Sequence, residues 1–256
     1  MGLNIKRQSF IATFLIFLAP TLAGADTGLA RTWEKAEIWV RTAEGFFSSH
    51  MDDAILLERL NGAGKKYPTV IFFHDCGKNR KQAGWHYARF MARAGFAVIL
   101  PDSFARPDRP ETCEYWQFKP LDDAPLGKVH ALRKAEISHA LMNAKKLKWV
   151  DTSNLFAMGH GEGGDALAAY TDSGYKARII SGALCKWGVG GSKDKPTLSL
   201  ASREDRLFQG QAADTCANKT DGYPLQTILF DGFQHDTSSL PQARETVIDF
   251  LKTLVK

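Results

Sequence analysis

The feature that most constrains the fold is a repeated alternation of short apolar runs with stretches of helical periodicity. The runs at 69–73 and 96–100 are continuous and rich in β-branched or aromatic residues, which is typical of strands buried on both faces of a sheet. Stretches of helical spacing lie at 82–94, 127–147 and 241–254. This alternation predicts an α/β protein with a mostly parallel central sheet and helices on both faces.

Shorter segments complete the predicted pattern. Further strands are predicted at 36–41, 54–60, 155–158, 178–184, 197–201 and 225–230, and a short helix at 165–170. The segment 104–125 is rich in Pro, Asp and Arg without a clear period, and long ordered loops are often lids or binding loops. With 256 residues and no internal repeat, we predict a single domain with its own core. Ligands of such sheets bind at the carboxyl ends of the strands.

Residues 1–25 have the three parts of a secretory signal peptide. Lys6 and Arg7 form a basic start, residues 10–18 are apolar, and small residues precede the expected cleavage point. A transmembrane anchor is disfavoured because a span needs ~20 apolar residues. We therefore expect a secreted or periplasmic domain of residues 26–256 that keeps no stable membrane anchor.

The charge balance excludes one class of partner. The chain has 33 basic and 28 acidic side chains, a net charge of +5. The signal peptide contains two basic and no acidic residues, so the mature domain carries +3. A charge this small and scattered does not indicate binding to nucleic acid. The sequence implies no metal and no organic cofactor, and it does not determine the oligomeric state.

The four cysteines form an even set, at Cys76, Cys113, Cys185 and Cys216. In an exported protein such a set predicts disulfides. Four cysteines allow three connectivities, between which the residues alone do not choose. Their spacing is not that of a zinc site.

The most informative segment is the glycine-rich turn at 158–164, Met-Gly-His-Gly-Glu-Gly-Gly, which follows a predicted strand. Gly159, Gly161 and Gly164 match the dinucleotide-binding pattern G-x-G-x-x-G. The same turn matches the nucleophile elbow of hydrolases, with Gly161 where a Ser or Cys normally stands. A simpler interpretation is that the glycines only let a strand and a helix approach closely.

Residues later in the chain favour the elbow. A dinucleotide pattern usually follows the first strand and is followed ~20 residues on by an acidic residue, whereas here several strands come first and the next strand ends in Cys185. Hydrolases instead place an acid and then a histidine after later strands. Asp205 lies 44 residues after Gly161, and His235 lies 30 residues after Asp205.

Several segments in this order resemble the dienelactone-hydrolase-like branch of the α/β-hydrolases. These segments are 70–77, 95–104, the turn at 159–163 and the loops at Asp205 and His235, and together they span 67–255. The resemblance implies an α/β-hydrolase fold in which Asp205 is the acid and His235 the base of a triad. It also implies activity on a carboxylic ester.

The resemblance implies further roles near the turn. Backbone N–H groups of Glu162 and of the loop at Asp75 and Cys76 would form the oxyanion hole. That loop would lie close to the segment after Asp102, which favours a Cys76–Cys113 disulfide. The remaining pair, Cys185–Cys216, would join segments that follow the strands on either side of the loop containing Asp205.

The sequence departs from the family at the residue that matters most. Gly161 has neither a hydroxyl nor a thiol, and covalent acyl transfer needs a nucleophile that the histidine can deprotonate. His160 and Glu162 flank the position, but we expect their side chains to point elsewhere. A glycine also relieves backbone strain at an elbow, so Gly161→Ser is expected to lower stability.

Three explanations of Gly161 remain open. We favour a pseudo-hydrolase that binds a small ester- or acyl-type ligand with little or no turnover. The second is an active esterase in which His235 activates water directly, and the third is an engineered replacement of a native nucleophile. A different class of function, a protein-interaction module, would use the loop 104–125. A dinucleotide-binding protein is the remotest alternative.

Overall fold

The computed structural model describes residues 23–77, 81–113, 121, 123–191, 193–208, 216 and 224–256. These residues form helices and strands in alternation, as the sequence predicts. In chain order the elements are α1 (Ala23–Glu34), β1 (Glu37–Thr42), β2 (Gly45–His50), α2 (Ala54–Gly62), β3 (Tyr67–Phe73), α3 (Lys81–Arg93), β4 (Ala97–Leu100), α4 (Leu126–Ala144), β5 (Val150–His160), α5 (Glu162–Ala168), β6 (Arg178–Ser181), β7 (Thr197–Ser202), β8 (Leu225–Phe230) and α6 (Pro241–Leu254).

All of these strands join one sheet in the order β2-β1-β4-β3-β5-β6-β7-β8. The neighbours from β4 to β8 run parallel, and β1 is antiparallel to both β4 and β2. The parallel strands end at one edge of the sheet, so the turns that follow them meet there.

Strand β3 shows how the sheet is covered on both faces. Ile71 and Phe73 belong to a core that includes residues of α2, α4 and α5. Val70 and Phe72 point the other way, into a core that includes residues of α3 and α6. Successive side chains of a strand face opposite sides, so a continuous apolar run serves both cores. The predicted fold class, a single α/β domain, is confirmed.

The prediction of a strand at 54–60 is wrong, since this segment is the helix α2. Asp53 caps the helix, and its carboxylate accepts a hydrogen bond from the Leu56 N–H at 3.0 Å. Leu56 and Leu60 are both buried, and a spacing of four places them on one helical face. The edge strand next to β1 is instead β2, which the sequence does not predict.

Two other predictions concern segments of which the structure describes only a part. Residues 1–22 of the predicted signal peptide lie outside the described residues, and α1 begins within the predicted leader, at Ala23. In the loop 104–125, residues 114–120 and 122 are likewise outside them. Among the helices of the described chain, none has the length and apolar content needed to cross a bilayer.

Candidate active site

The acid and the histidine predicted from the sequence lie together at the carboxyl edge of the sheet. Asp205 follows β7 and His235 follows β8. The Nδ1 atom of His235 is 2.7 Å from Oδ2 of Asp205. The other oxygen of Asp205 accepts a hydrogen bond from the Leu207 N–H at 2.9 Å. Asp205 is thereby held on one ring nitrogen of His235, and the other ring nitrogen, Nε2, is turned toward the end of β3.

The turn at Gly161 has the backbone of an elbow and no room for a side chain. Gly161 lies between β5 and α5 with φ +53° and ψ −119°, a conformation that a residue with a Cβ adopts at a cost. A Cβ built on Gly161 would overlap the carboxylate of Asp75. Glycine at this position is therefore favoured both by the backbone conformation and by the neighbouring side chain.

Asp75 fills the space that an elbow nucleophile would occupy. Its Oδ1 accepts a hydrogen bond from the Glu162 N–H at 2.9 Å, and its Oδ2 lies 3.5 Å from Nε2 of His235. The sequence predicts only a backbone N–H role for Asp75 and does not reveal the role of its carboxylate. The signal for it was an acidic residue two positions after the end of the buried strand β3. The Glu162 N–H, which is predicted to be a donor of the oxyanion hole, donates its hydrogen bond to Asp75 in this structure.

His160 also belongs to the site, and the expectation that its side chain points elsewhere is wrong. Its ring centroid lies 4.7 Å from that of His235, and its Nδ1 lies 3.2 Å from Oγ of Ser181. A Cβ on Gly182 would come within 2.8 Å of the His160 ring. Because Gly182 has no Cβ, the buried imidazole of His160 can lie beside the end of β6.

The charges of the site depend on one another. Burial lowers the pKa of His235, but hydrogen bonds and charge interactions with Asp205 and Asp75 outweigh it and raise the pKa from 6.5 to about 9. Burial alone would raise the pKa of Asp75, yet the two histidines and the Glu162 N–H hold it well below its usual range. Burial and the neighbouring His235 lower the pKa of His160.

Glu162 points away from Asp75, into a buried network of charges. Its carboxylate accepts hydrogen bonds from Arg109 and Thr112. Arg133 of α4 lies 3.7 Å from it and pairs with Glu136 at 3.0 Å. Buried charges of this kind need partners, because an unpaired one costs several kcal/mol. The network thus ties the turn after β5 to α4 and to the segment after β4.

Both disulfides have the pairing that the resemblance implies. Cys76 is bonded to Cys113, and Cys185 is bonded to Cys216. The first bond is adjacent to Asp75 and joins its loop to the segment containing Arg109. The second joins the segment after β6 to Cys216, which lies between β7 and β8 in the chain.

A mostly apolar pocket opens above the site. Gly161 and His235 contribute to its wall next to the carboxylates, and both cysteines of the Cys76–Cys113 bond line it. Trp187 lies at the pocket with 47% of its surface exposed and stacks on His130 at 4.7 Å. The remaining apolar lining comes from Leu126, Val129, Leu184, Leu207 and Phe208.

Close packing accounts for the other glycines of the turn. A Cβ on Gly159 would overlap the backbone of Gly163, and one on Gly163 would overlap the backbone of Phe73. A Cβ on Gly164 would lie 2.9 Å from that of Ala183. These contacts support the simpler interpretation of the G-x-G-x-x-G match, namely that a helix and a strand approach closely.

Comparisons with known proteins identify the fold. No protein-family model and no curated protein matches the chain. Among solved structures, a cold-adapted esterase from an Arctic intertidal metagenomic library is similar, with a TM-score of 0.55, 13% identity, and coverage of 87% of this chain and 95% of that one.

Two further structures are similar with lower TM-scores. A candidate dienelactone hydrolase of Klebsiella pneumoniae has a TM-score of 0.51 at 14% identity, over 85% of this chain and 98% of that one. An esterase of Pyrobaculum calidifontis has a TM-score of 0.50 at 13% identity, over 90% and 87%. At these identities the likeness establishes the fold alone, and the fold is that of the α/β-hydrolases.

Proposed function

We propose that this α/β-hydrolase-fold protein is an exported pseudo-hydrolase that binds a small ester- or acyl-type ligand without turning it over. The observation that carries the proposal is the position of the Asp75 carboxylate. It occupies the space of the missing nucleophile and accepts the hydrogen bond of the Glu162 N–H. Export is supported by the predicted signal peptide and by the two disulfides.

Acyl transfer in this fold needs a deprotonated hydroxyl or thiol and backbone donors for the oxyanion. Gly161 supplies no such nucleophile. The negative carboxylate of Asp75 accepts the hydrogen bond of the Glu162 N–H, the donor that would otherwise stabilise the oxyanion of the substrate. An anionic intermediate would therefore meet a like charge where an esterase offers a hydrogen bond.

The pocket supports a binding role. Its apolar wall and the aromatic pair of Trp187 and His130 suit a small molecule with an apolar portion, as in most ligand sites. We propose that nucleic acid is not a partner, in keeping with the small net charge, and that no stable membrane anchor remains once the signal peptide is cleaved. The interpretation of Gly161 as an engineered replacement is disfavoured, because a Ser side chain would overlap Asp75.

Hydrolysis of short-chain p-nitrophenyl esters tests the proposal. The unaltered protein and Gly161→Ser should both be inactive, the latter because Asp75 remains in place. The double variant Asp75→Gly with Gly161→Ser should gain hydrolysis, since it frees both the space and the Glu162 N–H. Adding His235→Ala to the double variant should abolish the gain, because the base is lost.

Two results would count against the proposal. One is ester hydrolysis by the unaltered protein that His235→Ala removes. The other is a failure of the protein to bind short-chain alkyl esters in a calorimetric titration. For the second measurement, Trp187→Ala is the variant expected to weaken binding, and Trp85→Ala, which alters a half-exposed tryptophan outside the pocket, is its control.

A further inference from the structure

We propose that Asp75, His160 and His235 form a binding site for one divalent transition-metal ion of the zinc class. Each of the three residues offers one ligand atom, and these atoms lie within 4.8 Å of one another. All three side chains are nearly or fully buried. The inference goes beyond the proposed function and does not depend on it, since metal binding is measured without any organic ligand.

The distances are close to those of a bound site. Zinc binds nitrogen and oxygen ligands at about 2.0–2.2 Å in a tetrahedral arrangement, so two ligand atoms lie roughly 3.4 Å apart. Nε2 of His235 and Oδ2 of Asp75 are already 3.5 Å apart. The distances from the His160 ligand atom to the other two ligand atoms must therefore shorten by roughly 1.4 Å at most to reach tetrahedral spacing from the 4.8 Å limit.

Each candidate ligand residue also contacts a second polar partner. Asp205 bonds Nδ1 of His235 at 2.7 Å, which directs Nε2 toward Asp75. The Glu162 N–H bonds Oδ1 of Asp75 and leaves Oδ2 on the side of the histidines. The Nδ1 atom of His160 lies 3.2 Å from Oγ of Ser181. Metal-binding histidines typically have such a partner, a carboxylate above all, on the second ring nitrogen.

The charge and the donor types suit zinc. Asp75 and Asp205 place two carboxylates against His235, and a divalent cation bound at Nε2 would displace the proton there. The nearby arginines are already balanced, because Arg109 pairs with Glu162 and Arg133 with Glu136. Imidazole nitrogen with one carboxylate favours zinc, iron or cobalt over calcium or magnesium. The four cysteines of the chain are all in disulfides and do not compete for the ion.

The site adjoins the pocket. His235 and Gly161 both line the pocket wall, and three protein ligands leave the fourth position of a tetrahedral ion open. That position would accept water or a donor atom of a molecule in the pocket. The sequence analysis implies no metal because the ligands are separated by 85 and 75 residues along the chain and only the fold brings them together.

The test is a metal titration of the protein purified without a tag from an exporting host, freed of metal by a chelator. Calorimetry with zinc chloride should give one ion per chain at micromolar affinity or tighter. Asp75→Asn should weaken binding at least about 100-fold, and Asp205→Asn by about 10–100-fold, since Asp205 acts through His235. His130→Asn is the matched control, because His130 lines the same pocket outside the cluster, and it should leave the affinity unchanged.

A second measurement needs no variant and covers the case in which one fails to fold. Long-range ¹H–¹⁵N spectra of the seven histidine rings should show zinc-dependent shifts at His160 and His235, with the others unchanged. The proposal is overturned if the unaltered protein binds no stoichiometric zinc or if other histidines shift in place of these two. It is also overturned if folded Asp75→Asn binds as tightly as the unaltered protein.

Discussion

The two halves of the candidate site differ in how far they keep the arrangement of a hydrolase. On one side, Asp205 and His235 follow β7 and β8 and form the 2.7 Å contact that a catalytic acid and base require. On the other side, Gly161 after β5 has no reactive group, and a carboxylate from the end of β3 takes its space. The two sides share one edge of the sheet and differ in the groups that they present there, a carboxylate–imidazole pair on one side and a glycine beside a carboxylate on the other.

The difference shows that a position in space can be filled from more than one strand. Strands β3 and β5 are parallel neighbours, with Phe73 in register with Gly159. Two residues beyond each of these positions lie Asp75 and Gly161, so their turns meet. A side chain from the turn after β3 can therefore occupy the space beside a glycine in the turn after β5, where it accepts the hydrogen bond of the Glu162 N–H.

The largest expected effect comes from adding a side chain at Gly161. Gly161→Ala should lower the free energy of unfolding by about 3–5 kcal/mol, because backbone strain adds to overlap with Asp75. Gly64→Ala is the matched control, since Gly64 has a similar φ of +64° but nothing within 4 Å of its Cβ position. It should cost about 1–2 kcal/mol. Urea unfolding measures both.

A double-mutant cycle sharpens this comparison. Asp75→Ala removes the side chain with which the new Cβ overlaps, so Gly161→Ala should cost less in that background, by about 2 kcal/mol. Additive effects of the two changes would mean that Asp75 does not occupy the space beside Gly161.

The disulfides allow each half to be loosened separately. Replacing Cys76 and Cys113 by Ser, or Cys185 and Cys216 by Ser, should each cost about 2–4 kcal/mol, because the closed loops are of similar length, 37 and 31 residues. Amide exchange should distinguish them. Only the first replacement should accelerate exchange at the Glu162 N–H, since it frees the loop that holds Asp75. Equal acceleration by both would contradict a local anchoring role.

The smallest expected effects come from neutralising one carboxylate of each half. Asp205→Asn should cost about 2 kcal/mol, because it disturbs the 2.7 Å contact with His235 in a buried setting. Asp75→Asn should cost about 1 kcal/mol, since its contact with His235 is longer, at 3.5 Å, and the amide oxygen still accepts from Glu162. Thermal or urea unfolding compares them, and the reverse order would show that Asp75 is the stronger partner of His235.

Local patterns predicted most of the fold. Continuous apolar runs marked β3 and β4, and the spacing of apolar residues marked α3, α4 and α6, because both signals depend on neighbours in the chain. The prediction failed at 54–60, where partial alternation suggested a strand. The Asp53 cap and the burial of Leu56 and Leu60 produce a helix there, a case of local capping and tertiary packing outweighing a weak pattern.

The sequence by itself predicted seven of the eight described strands, and it determined the absence of a hydroxyl or thiol at Gly161 and the candidate pair of Asp205 and His235. Only the tertiary structure decided that Asp75 fills the space at Gly161 and that His160 joins His235. The physical reason is that parallel strands far apart in sequence end at one edge of the sheet. Contacts across that edge depend on register and on side-chain direction, which no spacing along the chain encodes.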